Sequence, residues 1–171
     1  VLPENSSLAL TLRERMTWRE VASFLAARSK KGGFVMSVDQ LDAWVRAYLE
    51  DVFNGHNLQS LDKYMTANLV SHWLGDRSLH GPEAWREAMS NFFDAFPDAA
   101  YTLNDLFFSG DKGVWRGTWN ATQRKHWEGI PATGRSAKWT VIIIGRFEGE
   151  RLAEDWVEYD RYNLFRQLGA L

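Results

Sequence analysis

The sequence predicts an α+β domain, with three helices packed on one face of a curved antiparallel sheet. Apolar residues recur at helical spacing as far as residue 96, and after Pro97 the period changes to two and stays there. The period-two stretches are long and separated by Gly-containing turns, so that neighbours pair as hairpins. Helices followed by such strands must cover one sheet face. A curved sheet wrapped around helices encloses a hollow, the kind of place where small-molecule sites form.

The elements follow in order. "TWREVASFLAAR" (17–28) has helical spacing and a capping box at Thr17 and Glu20, then "SKKGGF" breaks it. Residues 1–35 are therefore expected to be a partly helical appendage, with the main domain over 36–171. "SVDQ" caps a long amphipathic helix whose stripe is Leu41, Trp44, Val45, Tyr48, Leu49 and Val52. "NGHN" stops it, and "LQSLDKYM" predicts a short second helix. "LVSHWLG" (69–75) predicts a short strand. "GPEAWREAMSNFFDAF" (81–96) opens with Pro82 in the first turn and is ended by Pro97, which predicts the third helix. "AYTLNDLFFSG", "KGVWRGTWNATQRKHWEG", "SAKWTVIIIGRFEG" and "RLAEDWVEYD" predict the strands. Asp160 stands where it would cap "RYNLFRQLG" as a closing helical turn.

Composition narrows the function. Twenty basic and 22 acidic residues leave a net charge of -2, which gives no global field for nucleic acid or an anionic membrane. No cysteine is present, so disulfides and thiolate chemistry are excluded. No apolar run approaches a membrane span, and the start lacks a signal-peptide layout, so the expected location is the cytoplasm. Nine Trp, ten Phe and five Tyr are many for 171 residues, and each buried indole needs a partner for its N–H. Several Trp in a small domain therefore point either to a ring-lined cavity with a wet end or to a Trp-rich core. On "GVWRGTWNATQ" the alternation puts Trp115, Gly117, Trp119, Ala121 and Gln123 on one face, a flat wall for a planar ligand, with Trp139 and Ile143 of the next strand as neighbours. Their alternative role is packing beneath the third helix.

Taken together, "NGHNLQSLDKYM", "LVSH", "HGPEAWREAMSNFFDAFPD", "GDKGVWRG", "GIPATGR", "RFEGERLAEDW" and "YDRYNLFRQLG" resemble the SnoaL-like polyketide cyclase or ester cyclase group of the NTF2-like superfamily. The resemblance implies a cone-shaped sheet, a deep apolar pocket, no metal or organic cofactor, and self-association as a homodimer or higher homo-oligomer through the outer sheet face. It implies ring closure by intramolecular aldol chemistry. Counting back from "RQLG", the Asp that serves the aldol cyclases as acid/base falls on Val157, and a pocket His falls on Ile143. Both are apolar in this chain. A one-residue slip would bring Trp156 or Glu158 to that place instead.

On the last strand Asp155, Val157 and Tyr159 point one way, and Glu154, Trp156, Glu158 and Asp160 the other. The family register turns the first set inward. Asp155 is then the candidate base, Tyr159 a donor to a developing oxyanion, and Val157 part of the wall. An Asp in an apolar pocket has its charged form disfavoured, which moves it toward neutral pH. Its alternative is a surface carboxylate paired with Arg. His72, in the strand that the resemblance sets by the pocket mouth, is a candidate proton carrier, with a satisfied strand-end His as the alternative. His80 is expected in a loop and His56 in a turn, both facing solvent, and His126 flanks Trp127 in a hairpin. No His spacing matches a metal motif, and no G-x-S-x-G elbow is present.

Three readings remain open from the sequence. One is a cofactor-independent enzyme of cyclase, isomerase or lyase type, transferring protons on a bulky, apolar, oxygenated small molecule. Another is a binding protein with the same pocket and no turnover. The last is an interaction module whose Trp-rich sheet meets a partner chain.

Overall fold

The computed structural model describes residues 36–75 and 77–171. The helix expected over 17–28 and the appendage over 1–35 lie outside them.

The first helix, α1 (Val38–Tyr48), begins where the sequence says it should. Gln40 N donates to Ser37 Oγ at 3.2 Å and Ser37 N donates to Gln40 Oε1 at 2.8 Å, so two otherwise orphaned donors are satisfied reciprocally. The helix then widens into a π-helical segment, Leu49–Asn54. Widening keeps Leu49, Val52 and Phe53 buried beside Tyr48, and Gly55 ends the run. A 3₁₀ turn (Leu58–Ser60) leads into the short α2 (Leu61–Tyr64), then β1 (Met65–Trp73) and β2 (Arg77–His80). The third helix, α3 (Gly81–Ala95), carries Pro82 in its first turn and buries Trp85, Met89, Phe92 and Phe93. β3 (Ala100–Ser109), β4 (Lys112–Thr122), β5 (Ser136–Glu148) and β6 (Arg151–Tyr159) follow. The chain closes with α4 (Arg161–Leu168), capped by Asp160, which accepts from Asn163 N at 3.0 Å.

The six strands form one curved, unclosed sheet in the order β2-β1-β6-β5-β4-β3. All neighbours are antiparallel except β1 and β6, which run parallel and pair Ser71 with Asp155 and His72 with Trp156. A parallel pair requires a long crossover, and everything from β2 to β5 supplies it. The register slips between Met65 and Val70, between Leu103 and Asp105, and between Arg146 and Phe147. Bulges at such slips bend strands and increase their twist.

Alternation decides which side of the sheet is covered. In β5 Ala137, Trp139, Val141, Ile143, Gly145 and Phe147 are buried, while Lys138, Thr140, Ile142 and Ile144 are exposed. In β4 the inward row is Gly113, Trp115, Gly117, Trp119 and Ala121. The two rows match across the ladder, with Trp115 opposite Ile143 and Trp119 opposite Trp139. Small residues between the indoles are required: a Cβ on Gly117 would overlap the Tyr101 ring, and one on Gly145 would sit 2.7 Å from Trp115 and 2.8 Å from Leu152. α3 covers these rows through Phe92, whose ring lies 5.2 Å from Trp119 and 6.2 Å from Trp139. Among the described residues, no helix is long and apolar enough to cross a membrane.

Two expectations are corrected. The hairpin strand expected to run on to Trp127 ends at Thr122, because Gln123 turns its side chain into the loop that follows. His56, expected in a solvent-facing turn, is half-buried: its ring stacks on Phe93 with centroids 3.9 Å apart, and Nε2 lies 3.0 Å from Ala99 O.

Candidate functional site

Between the concave sheet face and the helices lies a cavity of about 60 Å³. α1 and the π-helical segment contribute Tyr48 and Phe53, and α3 contributes Trp85, Met89 and Phe92. The sheet contributes Trp115 and Trp119 from β4, Trp139, Val141 and Ile143 from β5, and Asp155, Val157 and Tyr159 from β6. Trp73, Phe92 and Trp127 also border a larger cleft of about 340 Å³, whose remaining lining includes Arg77, Asn91, Asp94, Lys125, His126 and Glu128. Aromatic walls thus lead outward to a charged mouth.

Among the described residues, Asp155 is the carboxylate that lines this space. The residue is 3% exposed, and its Oδ1 has no hydrogen-bond partner among the described residues. Burial pushes its pKa up to about 7, the hydroxyl of Ser71 and the charge of His72 pull it back, and the Glu154 charge raises it. A group that gains and loses its proton near neutrality suits general acid/base work. Tyr48 stands close enough for the Asp155 charge to matter: burial first, and that charge second, push its phenol well above the usual range, so it stays protonated as a donor. Burial likewise raises Tyr159, whose hydroxyl donates to Glu128 Oε2 at 3.4 Å. The indole N–H groups of Trp85 and Trp115 are buried without partners among the described residues. Two unpartnered donors and one unpartnered acceptor on the wall of an apolar cavity are unusual, since buried polar atoms are normally paired.

The structure brings together Asp155, Tyr159, Trp115, Trp119, Trp139, Ile143 and Val157 around the one cavity. Trp115, Trp119 and Trp139 line the cavity, and Trp119 and Trp139 also pack beneath α3 against Phe92. His72 and Gln123 are not with them. His72 lies on the outer sheet face, its ring stacked on Trp156, with Nε2 3.1 Å from Glu154 Oε1 and Nδ1 3.1 Å from Ser78 Oγ. One position earlier, Ser71 takes the inward place on β1. Gln123 is fully buried but holds a loop: its Nε2 donates to Ile130 O at 3.2 Å, and Thr133 Oγ1 donates to its Oε1 at 2.7 Å. It anchors the segment that carries Trp127 and Glu128 to the mouth.

Tyr48, Ser71, Trp73 and Trp127 belong to the site and were not singled out from the sequence. Tyr48 was visible only as one member of a helical stripe. For Ser71 and Trp73 a signal existed in the alternation of "SHW", which turns both away from His72. Two bulky residues at the mouth, Leu74 and Glu128, have positive φ, at 53° and 46°. That conformation is costly for a side-chain-bearing residue. Among the described residues, no group of three His, Asp or Glu side chains gathers to hold a metal ion.

Comparison with known proteins agrees with this architecture. TsrD from Streptomyces laurentii is 29% identical, with a TM-score of 0.71 over 80% of this chain and 99% of its own. A protein from Acidithiobacillus ferrooxidans assigned as a polyketide cyclase is 28% identical, with a TM-score of 0.69 over 79% of this chain and 99% of its own. IdmH from Streptomyces antibioticus, also assigned as a polyketide cyclase, is 26% identical, with a TM-score of 0.63 over 77% and 96%. No curated protein matches the chain. The family model for SnoaL-like polyketide cyclase matches residues 43–168, and the chain belongs to that family.

Proposed function

We propose that this chain is a cofactor-independent enzyme that moves a proton on an oxygenated, ring-bearing small molecule, in a cyclisation, isomerisation or elimination. The observation that carries the reading is Asp155, a buried carboxyl on the wall of an aromatic cavity, with one oxygen unpartnered among the described residues and a pKa pushed up to about 7. The ionised form removes a proton from carbon next to a carbonyl. The electron pair moves to the carbonyl oxygen, where Tyr48, Trp85 and Trp115 supply candidate donors. In a ring closure the resulting enolate attacks a second carbonyl of the same molecule, and protonated Asp155 returns its proton to the new alkoxide. The inner space of about 60 Å³ takes the reacting edge, and the adjoining cleft of about 340 Å³ has the volume for the rest of the ligand.

A second reading, a binding protein without turnover, is favoured by Ile143 and Val157, apolar at the positions where the family resemblance sets a His and an Asp. Isotope exchange separates the two. Aromatic β-ketoesters incubated with the protein in D₂O should exchange their α-hydrogens faster than in buffer alone. Asp155→Asn should lower the enzymatic part by about 10²- to 10⁴-fold with the circular dichroism unchanged. Tight binding without exchange supports the second reading. Exchange undiminished in Asp155→Asn removes Asp155 from the chemistry.

A further inference from the structure

Trp73 occupies a singular place in the fold. It borders the inner cavity, the larger cleft, and a side cleft of about 190 Å³ lined also by Leu74, Arg77, Glu128, Tyr159 and Arg161. It is thus the wall between three spaces. Its indole N–H donates to Ser71 Oγ at 2.7 Å, a short bond for such a pair. Ser71 is fully buried and stands opposite Asp155 in the β1–β6 ladder. Immediately after Trp73 the backbone enters the left-handed region at Leu74, whose N–H donates to Val157 O at 3.0 Å. The strand that carries the serine and the indole is thus tied to β6 just beyond them.

We infer that Ser71 and Trp73 are positioning residues for Asp155, forming a relay in which the indole N–H fills a lone pair of the serine oxygen and leaves the serine proton to be given to the carboxylate. A hydroxyl that accepts one hydrogen bond becomes a stronger donor in the next, because successive bonds polarise one another. The ring that walls off the pocket is thereby coupled to the group that does the proton transfer. A ligand that pushes Trp73 aside breaks the bond to Ser71 and leaves Asp155 a stronger base. This rests on the proposed role of Asp155, but the two can fail separately.

Among the described residues, the other titratable groups near Asp155 are few. Tyr48 approaches from α1, and its phenol remains protonated through the relevant range. Tyr159 is two residues on along β6, also with its phenol raised. His72 and Glu154 act across the sheet from the outer face, where they are bonded to each other.

The test needs no substrate. In the full chain with ¹³C-labelled Asp carboxyls, the Asp155 resonance, assigned by its loss in Asp155→Asn, is followed against pH. The relay predicts an upward shift of about one pH unit in Ser71→Ala, where the charge loses its donor. It predicts a smaller rise of about half a unit in Trp73→Phe, which keeps a ring and removes only the N–H. Ser71→Thr, which retains the hydroxyl, should stay near the wild type. In the unaltered protein the indole proton of Trp73 should shift with the same midpoint as Asp155, and should still do so in His72→Gln. This last measurement stands even if Trp73→Phe does not fold. An Asp155 midpoint unmoved by Ser71→Ala, or an indole proton indifferent to Asp155, overturns the relay. A wild-type midpoint in the ordinary carboxylate range overturns the proposed base instead, whatever the variants do.

Discussion

Glu154 and Asp155 are consecutive carboxylates on one strand, and the sheet separates them into opposite environments. Glu154 faces outward, 3.0 Å from Arg146 Nε and 3.1 Å from His72 Nε2, and these partners hold its pKa below the usual range, the Arg146 bond contributing most. Asp155 faces inward among rings, with Ser71 as its modest help, and burial drives its pKa up to about 7. Both are carboxylates, and they share the same neighbours along the chain. What separates the buried carboxyl from the ion-paired one is one step of strand pleat.

The difference can be broken from either side. The largest effect is expected at Asp155. A pKa raised on folding stabilises the native state fully below the unfolded value near 3.8, and that stability is lost as pH rises toward about 7. A shift of this size corresponds to about 4 kcal/mol. Asp155→Asn removes the pH dependence, so urea unfolding should find the variant as stable as wild type near pH 4 and more stable at pH 8, by up to about 4 kcal/mol. A wild-type stability flat between those pH values would contradict the assigned environment. A smaller effect is expected where the inner face has no room: Gly117→Ala should cost about 1–3 kcal/mol, because its methyl group meets the Tyr101 ring. The smallest belongs to Glu154→Gln. Its pKa is lowered on folding, so its contribution is present above the unfolded value and disappears as pH falls through the folded one. With its partners Arg146 and His72 28% and 31% exposed, the loss at pH 7 should be below about 1 kcal/mol, shrinking with added salt and with acidification.

Much of this division was readable from the sequence, because it depends on period. The inward row of β4, the two faces of β6 and the caps at Ser37 and Asp160 follow from local patterns, and local patterns are written in neighbouring residues. Features that depend on pairing between distant segments were not readable. β2, with the sequence Arg77-Ser-Leu-His80, buries only Leu79 and carries no alternation long enough to register as a strand. His72 was placed by its strand's expected position at the mouth, whereas its face is decided by the parallel pairing of β1 with β6, a contact spanning more than half the domain. Gln123 followed the alternation of β4 correctly inward, yet the strand stops one residue before it and its amide ties down the loop instead. Tyr48 reaches the cavity because the helix it belongs to packs there, which no helical stripe can announce.

Among the described residues, six tryptophans border the inner cavity. Their crowding has an optical consequence. With so many indoles lining one space, a large part of the chain's tryptophan emission reports on it. Any molecule that settles there changes the light the protein gives off, which supplies a label-free way to search for its natural occupant.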